Sequence, residues 1–347
     1  MKLKERIESF SELGETLRNC LKDKSGRYSS DLIKLINDQQ YKNPWFTPEN
    51  VRMAVKAISD ELTYENLTRW TSSYPALDSV SRPASIGVIM AGNIPLVGFH
   101  DFLSVLISGN NIVAKTSSQD PELIVFLGEV LSRINQGFRD RMIFTDGLLK
   151  GFDAVIATGS NNSSRYFEYY FGKYPHLIRK NRNSIAIIEG GETESELAGL
   201  GSDIFSYFGL GCRNVSKIYI PEGYDYKSLA LNWTEYSGII NHNKYANNYD
   251  YNKAIYLVNK EEFSDTGYLL MKKSSGILSP VSVLFYEYYR SLNDLHDHLG
   301  KFRDQIQCIV SKKDVPFGIA QAPHLWDYAD GTDTLEFLLK KNIAGIF

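Results

Sequence analysis

Residues 86–121 read "IGVIMAGNIPLVGFHDFLSVLISGNNIVAKTSSQDP". The stretch opens on a short apolar run, turns at Gly92 and Asn93, and continues through an apolar segment of helical length. It closes on a second short run, "NNIVAK". Strand, turn, helix and strand in that order make a βαβ unit, which lays two parallel strands side by side. Pro95 suits the first turn of a helix, where its missing N–H costs nothing, so the helix is expected to open there. The alternation continues downstream. "RMIFTDG" (141–147), "FDAVIATG" (152–159) and "NSIAIIEGG" (183–191) are further short runs closed by glycine, and "PELIVFLGEVLSRIN" (121–135) has the length and apolar content of a helix. Apolar strands separated by helices specify parallel sheets covered on both faces.

Upstream of residue 82 the pattern is helical. "SSDLIKLINDQ" (29–39) and "TPENVRMAVKAISDEL" (47–62) have apolar residues three and four apart, and Thr47 with Glu49 and Asn50 marks a helix start. Beyond residue 226, "AIYLV" (254–258), "PVSVLFYEY" (280–288) and "QIQCIVS" (305–311) are expected as strands with helices between them. "HLIRKNRN" (176–183) is the expected boundary between two α/β halves.

The chain has 347 residues, of which 43% are hydrophobic and 23% charged, and a net charge of −3. That balance fits a globular protein and lacks the basic surplus of a nucleic-acid binder. No apolar run reaches the roughly 18 residues of a membrane span, and the charged N-terminus does not read as a signal peptide. Cys20, Cys212 and Cys308 are far apart and odd in number, so no disulfide framework is expected and a reducing cytoplasm is the expected compartment. His296 and His298 stand two apart on an expected helix and face different sides, so they are expected to be solvated, with no metal.

Three places offer chemistry. Cys212 lies in "FSYFGLGCRNVSKIYIP" (205–221), between a helix and a strand. Gly209 and Gly211 let the backbone turn tightly and let a ligand approach. A thiol there is either an exposed nucleophile or a small buried hydrophobe, the more common fate of cysteine. Asn93 follows one strand and Lys115 ends the next, with Thr116, Ser117 and Ser118 after it. In open α/β sheets ligands bind at the carboxyl ends of strands, where an amide can donate to an oxyanion and an ammonium can reach a phosphate or ribose. A turn asparagine and a solvated lysine are the alternative. Finally, Gly159 and Ser160 lead from a strand into a helix N-terminus, whose N–H groups attract anions.

In order and spacing these pieces resemble the aldehyde dehydrogenase superfamily, and within it the LuxC-type acyl-CoA reductases. "GNIPLVGFHDFLSVLISGNNIVAK" (92–115), "FGLGCRNVSKIYIP" (208–221) and "FGIAQAPHLWDYADGTDTLEFL" (317–338) carry the likeness, which spans about residues 82–340. It implies two Rossmann-like three-layer αβα domains. Residues 1–80 form a helical region packed on a cofactor-binding domain, 81–181. A catalytic domain follows at 182–325, and a C-terminal segment at 326–347. By position, Cys212 is implied as nucleophile and Asn93 as oxyanion donor together with the Cys212 N–H. Lys115 with Ser117 or Ser118 is implied at the adenosine ribose, and Gly159 with Ser160 near the pyrophosphate or nicotinamide.

Two departures from the superfamily pattern matter. Hydrolytic members carry a general-base Glu some 30 residues before the nucleophile. Glu189 is only 23 residues before Cys212, and "LIRKN" (177–181), which falls in register with that position, has no carboxylate. A reductase needs no such base, because water must not reach its thioester. Ser118 stands where NAD-specific members often carry Glu, and a serine tolerates a 2′-phosphate. The expectation is therefore NADPH-dependent reduction of an acyl-CoA to an aldehyde, with NADH as the alternative cofactor. An acyl-phosphate or semialdehyde reductase, or a catalytically dead nucleotide-binding scaffold, are the competing readings. The resemblance leaves a homo-oligomer open.

Overall fold

The computed structural model describes residues 1–22, 26–78 and 82–340. The expected break at 80/81 and the end of segment 326–347 lie outside them. The chain divides into two compact units, Met1–Asn181 with His324–Phe347, and Arg182–Pro323.

The first unit is built on five parallel strands: β1 (Ser85–Ile89), β2 (Asn111–Lys115), β3 (Met142–Thr145), β4 (Ala154–Thr158) and β5 (His176–Arg179). Their order is β3-β2-β1-β4-β5, with Ile86 beside Ile112 on one flank and Ala154 on the other. The chain therefore starts at the centre, winds outward through β2 and β3, then crosses to β4. Ile86, Ile112 and Ile156 are fully buried, which is why these strands read as continuous apolar runs. The N-terminal helices Leu3–Lys22, Ser29–Lys42, Pro48–Glu61 and Tyr64–Ser72 belong to the same unit. Thr47 caps the third of them by accepting from the Asn50 N–H at 3.3 Å, in line with the start signal there. Phe10, Leu13, Leu32, Val51 and Trp70 share one core with Ile86 and Ile156. From His324 the chain returns to this unit, and Leu325, Leu335 and Leu338 enter that core. Buried Arg179, from the "LIRKN" stretch, pairs with Asp101 and donates to Thr334 Oγ1 at 2.7 Å.

One local expectation fails here. No helix opens at Pro95; it runs over Phe99–Ile107, with Gly98 as its N-cap. Leu96 has φ 57°, and a left-handed residue cannot sit inside a right-handed helix.

The second unit carries six strands: β6 (Asn183–Ile187), β7 (Val215–Pro221), β8 (Ser264–Asp265), β9 (Leu270–Lys273), β10 (Val283–Tyr289) and β11 (Ile306–Val310). Their order is β11-β6-β7-β10-β9-β8, parallel except for the β8–β9 edge. Residues 254–258, expected as a strand, end the helix Asn243–Val258 instead. Tyr245, Tyr249, Asn252 and Tyr256 are its buried positions, three or four apart, whereas Leu257 and Val258 are exposed. A short apolar run cannot by itself separate helix from strand; here the aromatic spacing decides. His296 is exposed as expected. His298 is half-buried, its ring against Tyr219 and Phe302, so the reading of both as solvated holds for one only. The fold is mixed α/β, with parallel, Rossmann-like sheet layers and a helical N-terminal region.

Candidate active site

The order β3-β2-β1-β4-β5 places a topological switch between β1 and β4, where successive connections leave the sheet in opposite directions. A crevice opens at such a point, at the carboxyl ends of the strands. Asn93 follows β1, Lys115 ends β2, and Gly159 and Ser160 follow β4, so all four stand at that edge.

Asn93 is exposed, on a loop pinned from beneath. The Leu96 N–H donates to Asp120 Oδ2 at 2.8 Å, which holds Leu96 in its left-handed conformation. Asp120 is 6% exposed, and burial pushes its carboxyl up to about 6 against the pull of the backbone N–H groups it accepts from. The Asp120 N–H in turn donates to the Ser117 carbonyl at 3.1 Å. A Cβ on Gly92 would come within 2.4 Å of Ser117 Oγ, so only glycine lets the β1 loop close on the β2 loop. The loops carrying Asn93 and Ser117–Ser118 thus pack as one body.

Lys115 Nζ donates to the carbonyls of Asp146 and Gly147, at 2.7 and 2.6 Å. Ser117 Oγ accepts from the Gln119 N–H at 3.2 Å, while Ser118 is exposed. Ser160 Oγ caps the helix Asn161–Phe171 by accepting from the Ser163 N–H at 3.2 Å. A Cβ on Gly159 would stand 2.8 Å from the Phe167 ring, so the strand-to-helix turn needs glycine there. The hydroxyls of Ser117 and Ser160 therefore shape the loops, while Ser118, exposed like Ser160, stands on the β2 loop.

Cys212 belongs to the second unit and is half-exposed; it is not packed away in hydrocarbon. The helix Glu194–Phe205 ends in a tight turn where Tyr207, Phe208 and Gly209 have φ 52°, 59° and 76°. Three successive left-handed residues, two of them aromatic, are costly. Asn214, 2% exposed, holds them. Its Oδ1 accepts from the Gly211 N–H at 2.8 Å, and its Nδ2 donates to the carbonyls of Asp203 at 3.0 Å and Ser206 at 2.8 Å. On the other side of Cys212, Ser184 Oγ donates to the Cys212 carbonyl at 3.0 Å. Arg213 donates to the Ala320 carbonyl. Buried Asp203 accepts from the N–H groups of Gly318 and Ala320, at 2.7 and 2.9 Å, which ties residues 318–320 to the same loop. Burial raises the Asp203 carboxyl to about 6.

Cys20 is buried, as expected of a packing cysteine; Cys308 is half-buried, 3.0 Å from Ser184 Oγ. Glu189 is exposed on the loop after β6. Asp120, Asp203 and Asn214 escaped the sequence reading because their partners are backbone groups. The available signals were slight: an aspartate before Pro121, and an asparagine three residues after Gly211, both spacings that favour side-chain to backbone bonds.

The fold resembles that of solved aldehyde dehydrogenases. Aldehyde dehydrogenase 21 from Physcomitrella patens, in complex with its reaction product succinate, matches with a TM-score of 0.66 at 13% identity, covering 98% of this chain and 84% of that one. The NAD+ complex of an aldehyde dehydrogenase from Bacillus cereus matches at 0.58 and 13% identity, covering 90% and 72%. Aldehyde dehydrogenase C from Pseudomonas syringae, complexed with NAD+ and octanal, matches at 0.57 and 10%, covering 84% and 69%. At such identities the likeness is one of fold. Among curated proteins none matches. The LuxC acyl-CoA reductase family model matches residues 18–230, more than half of the chain and a span that includes Asn93, Lys115 and Cys212. The chain belongs to the LuxC acyl-CoA reductase family and is an oxidoreductase acting on aldehyde and acyl groups.

Proposed function

We propose that the protein reduces an acyl-CoA thioester to the aldehyde with NADPH, through an acyl group carried on Cys212. The observation that carries this reading is the Cys212 loop: a half-exposed thiol on a strained turn, bracketed by hydrogen bonds on both sides. A merely structural cysteine needs neither the strain nor the brackets.

The thiolate of Cys212 attacks the thioester carbonyl carbon; a sulfur–carbon bond forms and the π electrons move to oxygen. The Cys212 N–H and the Asn93 amide are the proposed donors to that oxygen. Collapse expels CoA as its thiolate and leaves the acyl group on Cys212. A bound nicotinamide supplies the hydride that takes this acyl group to the aldehyde level, and Cys212 then leaves as thiolate. Glu189 is not assigned as a base, in keeping with a thioester that must be kept from water.

The carboxyl edge of the first sheet suits a dinucleotide. Lys115 has three protons and can hold both its carbonyls while donating to a ribose hydroxyl. Exposed Ser118 brings no negative charge toward a 2′-phosphate, which favours NADPH over NADH. Gly159, packed too closely on Phe167 for any side chain, and the N–H groups of the helix capped by Ser160 would take the pyrophosphate.

The test is intact-protein mass spectrometry after incubation with acyl-CoA and no reductant. A gain of one acyl mass on the peptide 205–221 is expected. An unmodified Cys212, in protein that still turns over acyl-CoA when NADPH is added, overturns the thioester route.

A further inference from the structure

Cys212 sits between two pinned peptide groups. The Gly211 N–H is held by Asn214 Oδ1 at 2.8 Å, and the Cys212 carbonyl is held by Ser184 Oγ at 3.0 Å. The peptide between them carries the Cys212 N–H, so its orientation is limited from both ends. Of the two clamps, Asn214 has the wider grip. Its Nδ2 reaches the carbonyls of Asp203, Ser206 and, at 3.4 Å, Ile204. These belong to the last turn of the helix Glu194–Phe205 and to the residue after it. Carbonyls at a helix end have no partner within the helix. One amide thus gathers them and reaches across the left-handed turn at 207–209 to the residue before the thiol. Asparagine supplies one acceptor and two donors at this short reach. Aspartate keeps the size but turns lone pairs toward three carbonyls.

We propose that Asn214 is a positioning residue for the reaction at Cys212. By taking the Gly211 N–H for itself and fixing the turn, it sets the direction of the Cys212 N–H and of the bond to the thiol. The inference rests on Cys212 being the nucleophile.

The first measurement needs no variant. Hydrogen exchange of the wild-type peptide 205–221 should show the Gly211 amide protected, although it lies in a loop; fast exchange overturns the proposal. The second compares Asn214→Asp with wild type, with folding checked by circular dichroism. The expected result is a kcat loss of about 10²-fold with KM for acyl-CoA little changed, as a misplacement of about 1 Å entails. The rate of Cys212 alkylation by iodoacetamide, and the pH at its midpoint, should change as well. A merely structural role would lower the melting temperature and leave these per-molecule values alone; that outcome also overturns the proposal. Exchange and alkylation use no acyl-CoA. If the acyl donor proves different, they still decide the role of Asn214; if they read as unclamped while the acyl adduct forms, this proposal alone falls.

Discussion

The two loops that carry the proposed chemistry solve the same problem with different clamps. Both hold non-glycine residues in the left-handed region: Leu96 in the first unit, Tyr207 and Phe208 in the second. Both rely on a buried polar side chain that bonds to backbone. In the first unit the clamp is a carboxylate, Asp120, accepting from Leu96. In the second it is an amide, Asn214, with a bond to Gly211 and three to helix-end carbonyls. An amide cannot titrate, so the bonds Asn214 makes do not depend on its own protonation, although its neighbour Asp203 titrates at about 6. A buried carboxylate does titrate, and its environment raises its pKa to about 6. The clamp nearest the nucleophile is thus a neutral one, with the titrating Asp203 a step further out, while the loop under Asn93 is held directly by a group whose charge depends on pH.

The comparison is tested hardest at the reactive positions. Cys212→Ala should abolish acyl-CoA reduction and acyl-adduct formation while circular dichroism stays native; residual turnover would remove the second-unit loop from the chemistry. Asn93→Ala should lower kcat by about 10²–10³-fold, the cost of one lost oxyanion donor. It should leave Cys212 alkylation by iodoacetamide unchanged. An unaltered kcat would mean that the first-unit loop serves the cofactor alone.

The next effects concern the clamp. Asp120→Ala leaves the buried Leu96 N–H unpaired, at about 1–3 kcal/mol, and should cut kcat about tenfold by loosening Asn93. Asp120→Asn keeps an acceptor and should retain most of the activity. Its signature is in stability. Burial raises Asp120 from the ordinary 3.8 to about 6, so between roughly pH 4 and 6 the folded chain keeps a proton that the unfolded chain has lost. Stability from this group is full below that window, falls as pH rises through it, and levels off above. The full change is on the order of 3 kcal/mol. Urea midpoints from pH 4 to 7 should therefore vary less for Asp120→Asn than for wild type. Asp203→Asn should remove a similar share, because Asp203 is raised to about 6 by the same cause. Midpoints with unchanged pH dependence in both variants would end the distinction between titrating and neutral clamps.

The sequence passed over His176–Arg179, read as a boundary, and Leu270–Lys273, whose runs mix in charged residues. It made most of the parallel, buried strands legible, since burial on two faces demands the uninterrupted apolar runs around Ile86, Ile112 and Ile156. It also marked the ends of those strands, and with them Asn93, Lys115 and Cys212. It misplaced the helix start at Pro95 because Leu96 is forced left-handed by a carboxylate 24 residues further on, and local pattern cannot report a distant bond. It took residues 254–258 for a strand because the buried face of that helix is made of tyrosines and an asparagine rather than aliphatic residues. The clamps stayed hidden for a related reason: Asp120, Asp203 and Asn214 act on backbone N–H and C=O groups, which every residue has.

The smallest expected effect separates the two loops most cleanly. Ser118 is exposed on the β2 loop that packs with the Asn93 loop. Ser118→Glu adds a negative charge where a 2′-phosphate is proposed to lie. Near the surface such repulsion is worth about 1 kcal/mol, or roughly fivefold. The ratio of kcat/KM for NADPH to that for NADH should fall by that factor, and the change should shrink in high salt as screening increases. Acylation of Cys212 by acyl-CoA without reductant should proceed at the wild-type rate, because the bonds that bracket the thiol come from Ser184 and Asn214. A shift in acylation without a shift in cofactor preference would reverse the assignment, tying Ser118 to the acyl donor and leaving the cofactor's phosphate to be read elsewhere on the sheet edge.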